Sequence, residues 1–367
     1  MTSAEAGGRA LAIRLWLGCL ATQELMTIYL GIRLGLYECL LREGPATALQ
    51  LAGRARIGHR YAREWLEQQA VAGIITVTDT SRAADDRVYA LPAGHGTVLT
   101  GSDNPISVAP MAVLPIGAVA GALPQLLEAY RTGAGVPDTA YGSDWRDGHE
   151  AANRALFSRD LPAWIRRWLP DVHARLAAGP SRIADIACGA GWSSIALALS
   201  YPGARVDGFD LDPVILGTAS KNAASRGLAS QVCFEVRDAQ APDAWPAGRD
   251  GEGYDLVCVF DALHEMPRPV EVLRCCRAIL APGGSVLVMD ARVAETFTAP
   301  ADETERFQYA TSVLHCLPVG LTGVSPAGTG TAMRPAMVRE YALAAGFAEV
   351  EVTGVEERFH RLYRLRG

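Results

Sequence analysis

His264 and Glu265 stand just beyond the end of an apolar run: "YDLVCVF" (254–260) is followed by "DALHEMPRP". An imidazole with an ordinary pKa near ~6.5 can take a proton from a hydroxyl at neutral pH, and a carboxylate can orient it. Sequence neighbours point in different directions, so Glu265 competes for that supporting role with Asp290, which closes the later run "GSVLVMD". Upstream, "DIACGAGWSS" sets Ala187, Gly189 and Gly191 between an apolar run and a helical segment. Small residues there let a ligand approach the backbone, with a helix N-terminus aimed at it. The spacing is not G-x-G-x-x-G, which disfavours a dinucleotide pyrophosphate. Asp210, in "GFDLD", follows the glycines by roughly 20 residues, the distance at which a carboxylate accepts from ribose hydroxyls. Asp212 reads as a helix cap before Pro213. Asp238, in "RDAQ", either accepts from an exocyclic adenine amine or ends its strand in a turn. Together these positions describe a nucleoside pocket.

The elements that must carry such a pocket are legible as "RIADIA", "ARVDGFDLD", "QVCFEVRD", "YDLVCVFDA" and "GSVLVMD", apolar runs separated by helical segments. That alternation implies a parallel sheet with helices on both faces and ligands beyond the carboxyl ends of the strands. "FAEVEVTGV" and "FHRLYRLRG" add an antiparallel pair at one edge. The fold class expected is therefore α/β, doubly wound and seven-stranded. Ahead of it, residues 9–41 read as two helices from apolar recurrence at three and four. "TALQLAGRARIGHRYAREWLEQQAVAGIITV" reads as helix, turn near Ile57–Gly58, and helix, with Gly73 as its stop. A hairpin returning through "RVYALP" completes a winged helix. The expected domains are 1–105, a winged-helix dimerisation or lid module; 106–150, a connector with an apolar helix around 110–130; and 151–367, the ligand-binding domain.

A chain of 367 residues suits two domains, and its formal charge of −6 gives no general basis for binding nucleic acid. The second winged-helix segment carries Arg60, Arg63, Glu64 and Glu67, a balanced face that favours dimerisation over DNA. The first residues lack a secretory pattern, and the apolar stretch 15–41 is interrupted by Glu24, Arg33 and Glu38, so no membrane span is expected. The eight cysteines show no CxxC or other metal spacing, and Cys188, Cys233 and Cys258 lie in apolar runs. The expectation is a reduced, cytoplasmic protein without a metal.

The runs "ADIACGAGWSSIALA", "VDGFDLD", "EVRDA", "YDLVCVFDALHEM" and "LAPGGSVLVMD", in this order, resemble the motifs of class I S-adenosylmethionine-dependent methyltransferases. "HRYAREWLEQQAVAGII", "RVYALP", "SVLHCLPVGL" and "AAGFAEVEV" extend the resemblance to an actinobacterial group with an N-terminal winged helix, similar to small-molecule O-methyltransferases. The resemblance implies S-adenosylmethionine as cofactor and a homodimer as assembly. It implies that Ala187, Gly189 and Gly191 face the methionine part, that Asp185 orients its amino group, and that Asp210 holds the ribose. Asp238 and Ala239 would flank the adenine, and Leu211 and Phe260 complete the candidate cofactor set. The family usually has glycine at 187; an alanine is tolerable there if its φ stays negative.

Methyl transfer is a direct displacement, so the protein must position two reactants in line. In the similar O-methyltransferases a histidine followed by an acid, after the fourth strand, is the general base, and "LHEM" is similar to that pattern, with Glu265 as the acid and without the tryptophan-containing continuation. Two readings of His264 stand: a base for a hydroxyl acceptor, or a wall residue for a nitrogen or carbon acceptor. Tyr141, Trp145, Phe157, Trp164, Tyr309, His315 and Met333 could wall an apolar pocket for an aromatic or polyketide-like molecule, or belong to the core. For His315, on an apolar helical stretch, the core reading is favoured. The loop "GLTGVSPAGTGTAMRP" suggests a mobile cover. Other open functions are a non-methylating enzyme on this fold and a cofactor-sensing DNA-binding regulator.

Overall fold

The computed structural model describes residues 3–101, 107, 109–241 and 253–367, and these divide into two compact units. The expected boundary at 105–106 lies outside the described residues. One unit runs to Gly121 and takes in 143–152; the other comprises 122–142 and 153–367.

The first unit begins with α1 (Ser3–Arg33), α2 (Leu36–Glu43), α3 (Ala48–Ala55) and α4 (His59–Val71). Residues 9–41 do form two helices, but the break falls at Leu34–Gly35, where Gly35 takes φ +66°. Gly18 and Gly31 are carried inside α1. At Gly31 a side chain would strike the rings of Tyr37 and Trp65, at 2.5 and 2.6 Å from its Cβ, so glycine permits the helices to close on each other. Thr47 and Gln50 form a reciprocal capping box at the start of α3, and Gly73 at φ +73° ends the turn after α4. The wing is a hairpin of β1 (Thr76–Val77) and β2 (Tyr89–Ala90). Leu36, Tyr37, Leu40, Leu51, Leu66, Ile75 and Tyr89 make its core.

Three arginines of the α4–wing region are matched by acids: Arg60 pairs with Glu64, Arg63 with Asp85 at 3.5 Å, and Arg87 with Glu67 at 3.0 Å. Leu11, Leu15, Trp16, Leu17 and Leu20 of α1 are exposed. By length and composition alone, Ala4–Arg33 and Ala109–Thr132 could each cross a membrane. The second of these is helical throughout, with a π-turn at Leu114–Val119.

The second unit is built on a seven-stranded sheet of order β5-β4-β3-β6-β7-β9-β8. Its strands are β3 (Ser181–Ile186), β4 (Ala204–Asp210), β5 (Val232–Val236), β6 (Tyr254–Phe260), β7 (Leu280–Ala291), β8 (Glu349–Val352) and β9 (His360–Arg366). β3 to β7 pair in parallel, while β9 is antiparallel to both β7 and β8. The near-continuous apolar runs follow from burial on both faces. Leu256, Cys258 and Phe260 of β6 join one core layer with Leu287 and Met289, whereas Val257 and Val259 join the other with Val286 and Val288. Strand order reverses between β3 and β6, the switch point at which this architecture opens a crevice.

Candidate active site

Beyond β3 the chain makes the turn 187–191 and enters the helix Trp192–Ser200. Ala187, Gly189 and Gly191 all adopt positive φ, +56°, +51° and +79°. The condition under which an alanine is easily tolerated at 187, a negative φ, is therefore not met: the turn demands a left-handed residue there, and the alanine occupies it at a cost of about 1 kcal/mol. Gly191 has no alternative, since a Cβ would lie 2.6 Å from the Phe234 ring of β5. Gly208 in β4 meets the same ring, also at 2.6 Å. One aromatic ring thus occupies the space of two missing side chains and supports the turn from below.

Asp185 is buried near the end of β3, and its Oδ2 accepts from the hydroxyls of Ser193 and Ser194, both at 2.6 Å. Burial pushes its pKa up to about 6 against the opposing effect of those two hydroxyls. Asp210, at the end of β4, accepts from the backbone N–H of Gly189 and of Asp212, each at 3.0 Å, which ties the glycine turn to the second strand. Its pKa is raised by burial, with the backbone donors working the other way. With about four lone-pair sites on its two oxygens, the carboxylate retains acceptor capacity for a ribose hydroxyl. Leu211 follows it and is exposed; Asp212 caps the next helix through Val214 N–H at 2.8 Å. Asp238 holds the N–H of Gln240 at 2.8 Å, and Ala239 packs against the core beside it. Phe260, the last residue of β6, is buried with its ring 5.8 Å from that of Phe157. The glycine turn, the two aspartates and the switch-point crevice form a cradle that fits a nucleoside with a cationic amino-acid tail.

His264 lies in the short 3-10 turn Leu263–Glu265 after β6 and is 3% exposed. Its Nδ1 is 2.7 Å from Oδ1 of Asp290, and its backbone N–H donates to Oδ2 of the same residue at 3.3 Å. Asp290 comes from the adjacent strand β7 and is wholly buried. Burial disfavours the imidazolium, but Asp290, and after it Cys316, outweigh this and raise the His264 pKa well above its ordinary value. Glu265 pairs with a different histidine: its Oε2 is 3.6 Å from Nδ1 of His315, while its carboxylate also stays within 4.8 Å of a donor atom of His264. His315 is buried, as a core histidine should be, yet its surroundings are polar as well as aromatic. Its Nε2 is 3.4 Å from Oδ1 of Asp138, and its ring meets Tyr141 edge-on at 4.4 Å.

Of the other pocket candidates, Tyr141 donates to the carbonyl of Leu314 at 2.8 Å. Phe157 and Met333 are buried in the two core layers, and Trp164 packs partly buried against the first. Tyr309 accepts from Arg334 at 3.1 Å. Trp145 belongs to the first unit, where it stacks on His149 at 5.8 Å. The glycine-rich loop is tied at Ala327, whose N–H donates to Pro267 O at 2.8 Å, and at Thr331, whose N–H donates to Ser312 Oγ at 3.1 Å.

Several participants were not singled out from sequence. Ser193 and Ser194 were visible in the "GWSS" motif, but only the fold shows that their hydroxyls turn back to Asp185. Cys316 sits beside His264 with no signal in the spacing. Asp261, directly after β6, takes φ +53° and accepts from Asn153 at 3.0 Å. His360 bridges Asp261 and Glu357 at 3.8 and 3.0 Å. Burial lowers the His360 pKa, but the two carboxylates outweigh it and raise it to about 10.

Residues 184–286 match the family described as "Methyltransferase domain", and residues 21–101 match the "Rv2258c-like winged HTH domain". Ubiquinone biosynthesis O-methyltransferase of Burkholderia multivorans is 34% identical over 124 residues, which are 34% of this chain and 47% of that protein. The chain thus spans about half the length of the curated relatives it matches. Among solved structures, the mitomycin 7-O-methyltransferase MmcR aligns over 100% of both chains with a TM-score of 0.68 at 19% identity. Human N-acetylserotonin methyltransferase, solved in complex with S-adenosylmethionine, aligns over 100% of this chain and 99% of its own with a TM-score of 0.69, also at 19% identity. At that identity the likeness is one of fold.

Proposed function

For a chain that joins a winged helix-turn-helix domain to an S-adenosylmethionine-dependent methyltransferase domain, we propose methyl transfer to a small molecule, with a hydroxyl of an aromatic or polyketide-like compound as acceptor. The observation that carries this reading is the His264–Asp290 contact at the ends of β6 and β7, on the same side of the sheet as the glycine turn after β3. S-adenosylmethionine, when bound, supplies an electrophilic methyl group. The chain supplies the rest: Asp210 for the ribose, Asp185 for the amino group, and the turn 187–191 for the amino-acid tail. His264, oriented through Nδ1, presents Nε2 as the site for the acceptor's proton.

One observation favours a second reading, in which His264 only walls the pocket of a nitrogen or carbon acceptor. Its pKa is raised by Asp290, and an imidazolium has no lone pair to accept a proton. The deciding experiment incubates the protein with methyl-labelled S-adenosylmethionine and a panel of phenols, amines and enolisable ketones. Labelled methyl ethers support the proposal. Label confined to nitrogen or carbon moves His264 to the second reading, and acceptor consumption without label removes methyl transfer altogether.

Two further elements complete the reading. The exposed apolar residues of α1 support a homodimer in which a second copy covers them, and the acid-matched arginines of the winged helix support a module that does not bind DNA. All eight thiols are free, which accords with a reducing cytoplasm.

A further inference from the structure

His264, Glu265 and Cys316 bring three different donor atoms together: a ring nitrogen, a carboxylate oxygen and a thiol sulfur all lie within 4.8 Å of one another. In a tetrahedral zinc site the ligands stand about 2.0–2.3 Å from the metal, which places them about 3.3–3.8 Å apart. Closing from the observed spacing requires movement of roughly an ångström, and Glu265, whose side chain is 29% exposed, is the least buried of the three. The nitrogen, oxygen and sulfur set suits a borderline-soft divalent ion and is wrong for magnesium or calcium.

The surroundings are those of a ligating site. Asp290 Oδ1 lies 2.7 Å from Nδ1 of His264, so Nε2 is the ring nitrogen assigned to the metal, in the manner of the carboxylate–histidine pairs that support metal-bound imidazoles. His315 stands behind Glu265 at 3.6 Å. Cys316 and His315 are consecutive, and both are turned inward by the π-turn Ser312–Cys316, a local widening common where a helix carries function. His264 and Cys316 are buried, and the partly exposed Glu265 is the side from which an ion would enter.

We propose that His264, Glu265 and Cys316 form a binding site for a single zinc ion. The site is distinct from the cofactor cradle, and its existence does not depend on methyl transfer. Because zinc and an acceptor proton would use the same Nε2 lone pair, the ion is an inhibitor of any reaction in which His264 is the base.

The test uses metal-stripped full-length protein titrated anaerobically with Co²⁺ and then Zn²⁺. The expected result is one equivalent of tetrahedral Co²⁺ with a thiolate-to-cobalt charge-transfer band, displaced by Zn²⁺. Cys316→Ser should remove the band and weaken Zn²⁺ binding at least about 10-fold, and Glu265→Gln should weaken it about 10-fold. Cys19→Ser, at an exposed thiol, should change neither. Absence of stoichiometric uptake by the wild-type protein overturns the site, as does a band that survives Cys316→Ser. Should Cys316→Ser fail to fold, Glu265→Gln decides: wild-type affinity in that variant also overturns the site. Metal uptake is read without any methyl acceptor, so a negative result leaves the transfer proposal standing.

Discussion

Asp290 holds His264 at two points, with Oδ1 2.7 Å from the ring Nδ1 and Oδ2 accepting the backbone N–H at 3.3 Å. The first contact sets a carboxylate against the imidazole, and the second ties down the turn that carries it. With the acceptor identified by the label panel, His264→Ala should lower turnover at least about 100-fold at pH 7 and leave cofactor affinity nearly unchanged. Asp290→Asn should cost at least about 10-fold by presenting the wrong tautomer. Steady-state kinetics with calorimetry of cofactor binding check both, and a His264→Ala protein that keeps most of its turnover makes the residue a wall.

Asp185 supplies a pH dependence whose sign is fixed. Its pKa is raised from an ordinary value near ~3.9 to about 6, so between those values the folded protein binds more protons than the unfolded chain. Stability of the cofactor-free protein should fall as pH rises through that window. Cofactor affinity should move the other way, strengthening from pH 5 to 7 as the carboxylate ionises to meet a cationic amine. Asp185→Asn should flatten both curves, and calorimetry that finds the wild-type and variant slopes alike would count against the assignment.

Ala187 pays a steric cost at φ +56° that glycine would not. Ala187→Gly is expected to leave the turn unchanged and to stabilise the protein by up to about 1 kcal/mol, less what the more flexible unfolded chain takes back. Urea denaturation measures this; a clear loss of stability would mean that the alanine methyl makes a contact worth more than its strain.

His360 is a cation held between Asp261 and Glu357, with its pKa raised from about 6.5 to about 10. The stabilisation from a raised histidine pKa is full below the unfolded value and is lost as pH rises through the folded one, so it should fade between those limits. His360→Gln should cost roughly 3 kcal/mol at pH 6 and much less at pH 10. Denaturation midpoints across that range would expose the idea as wrong if the difference stayed constant.

Leu15 and Trp16 are 65% and 67% exposed on α1. A Leu15→Glu, Trp16→Glu double variant is expected to run as a monomer in light scattering where the wild-type chain runs as a dimer. A wild-type monomer at micromolar concentration would remove the dimer proposal.

Strand alternation and helical periodicity made the sheet, the edge hairpin and the winged helix readable from sequence, because each rests on local pattern and burial. The glycines and aspartates at the strand ends were readable for the same reason: the chain must stop and turn there. What could not be read was direction. The sequence places Glu265 next to His264, yet the Glu265 carboxylate pairs with His315, and the carboxylate against the His264 ring, Asp290, arrives from 26 residues away in sequence through the β6–β7 pairing. The left-handed backbone at Ala187 contradicts the residue that occupies it, and Cys316 reaches His264 through a π-turn that leaves no mark on hydrophobic periodicity.

That π-turn sets a limit on how this chain can vary. Ser312–Cys316 carries one residue more than an α-helical turn would, and the helix before it carries Glu305 and Tyr309, both bonded to Arg334. Losing one residue from the turn would rotate one flank against the other by about 100°. Either the Arg334 partners or the inward-facing His315 and Cys316 would then leave their places. Substitutions along this stretch can be absorbed one side chain at a time, but a change of length cannot. Homologues that keep both faces should therefore differ here in residue type and agree in residue count.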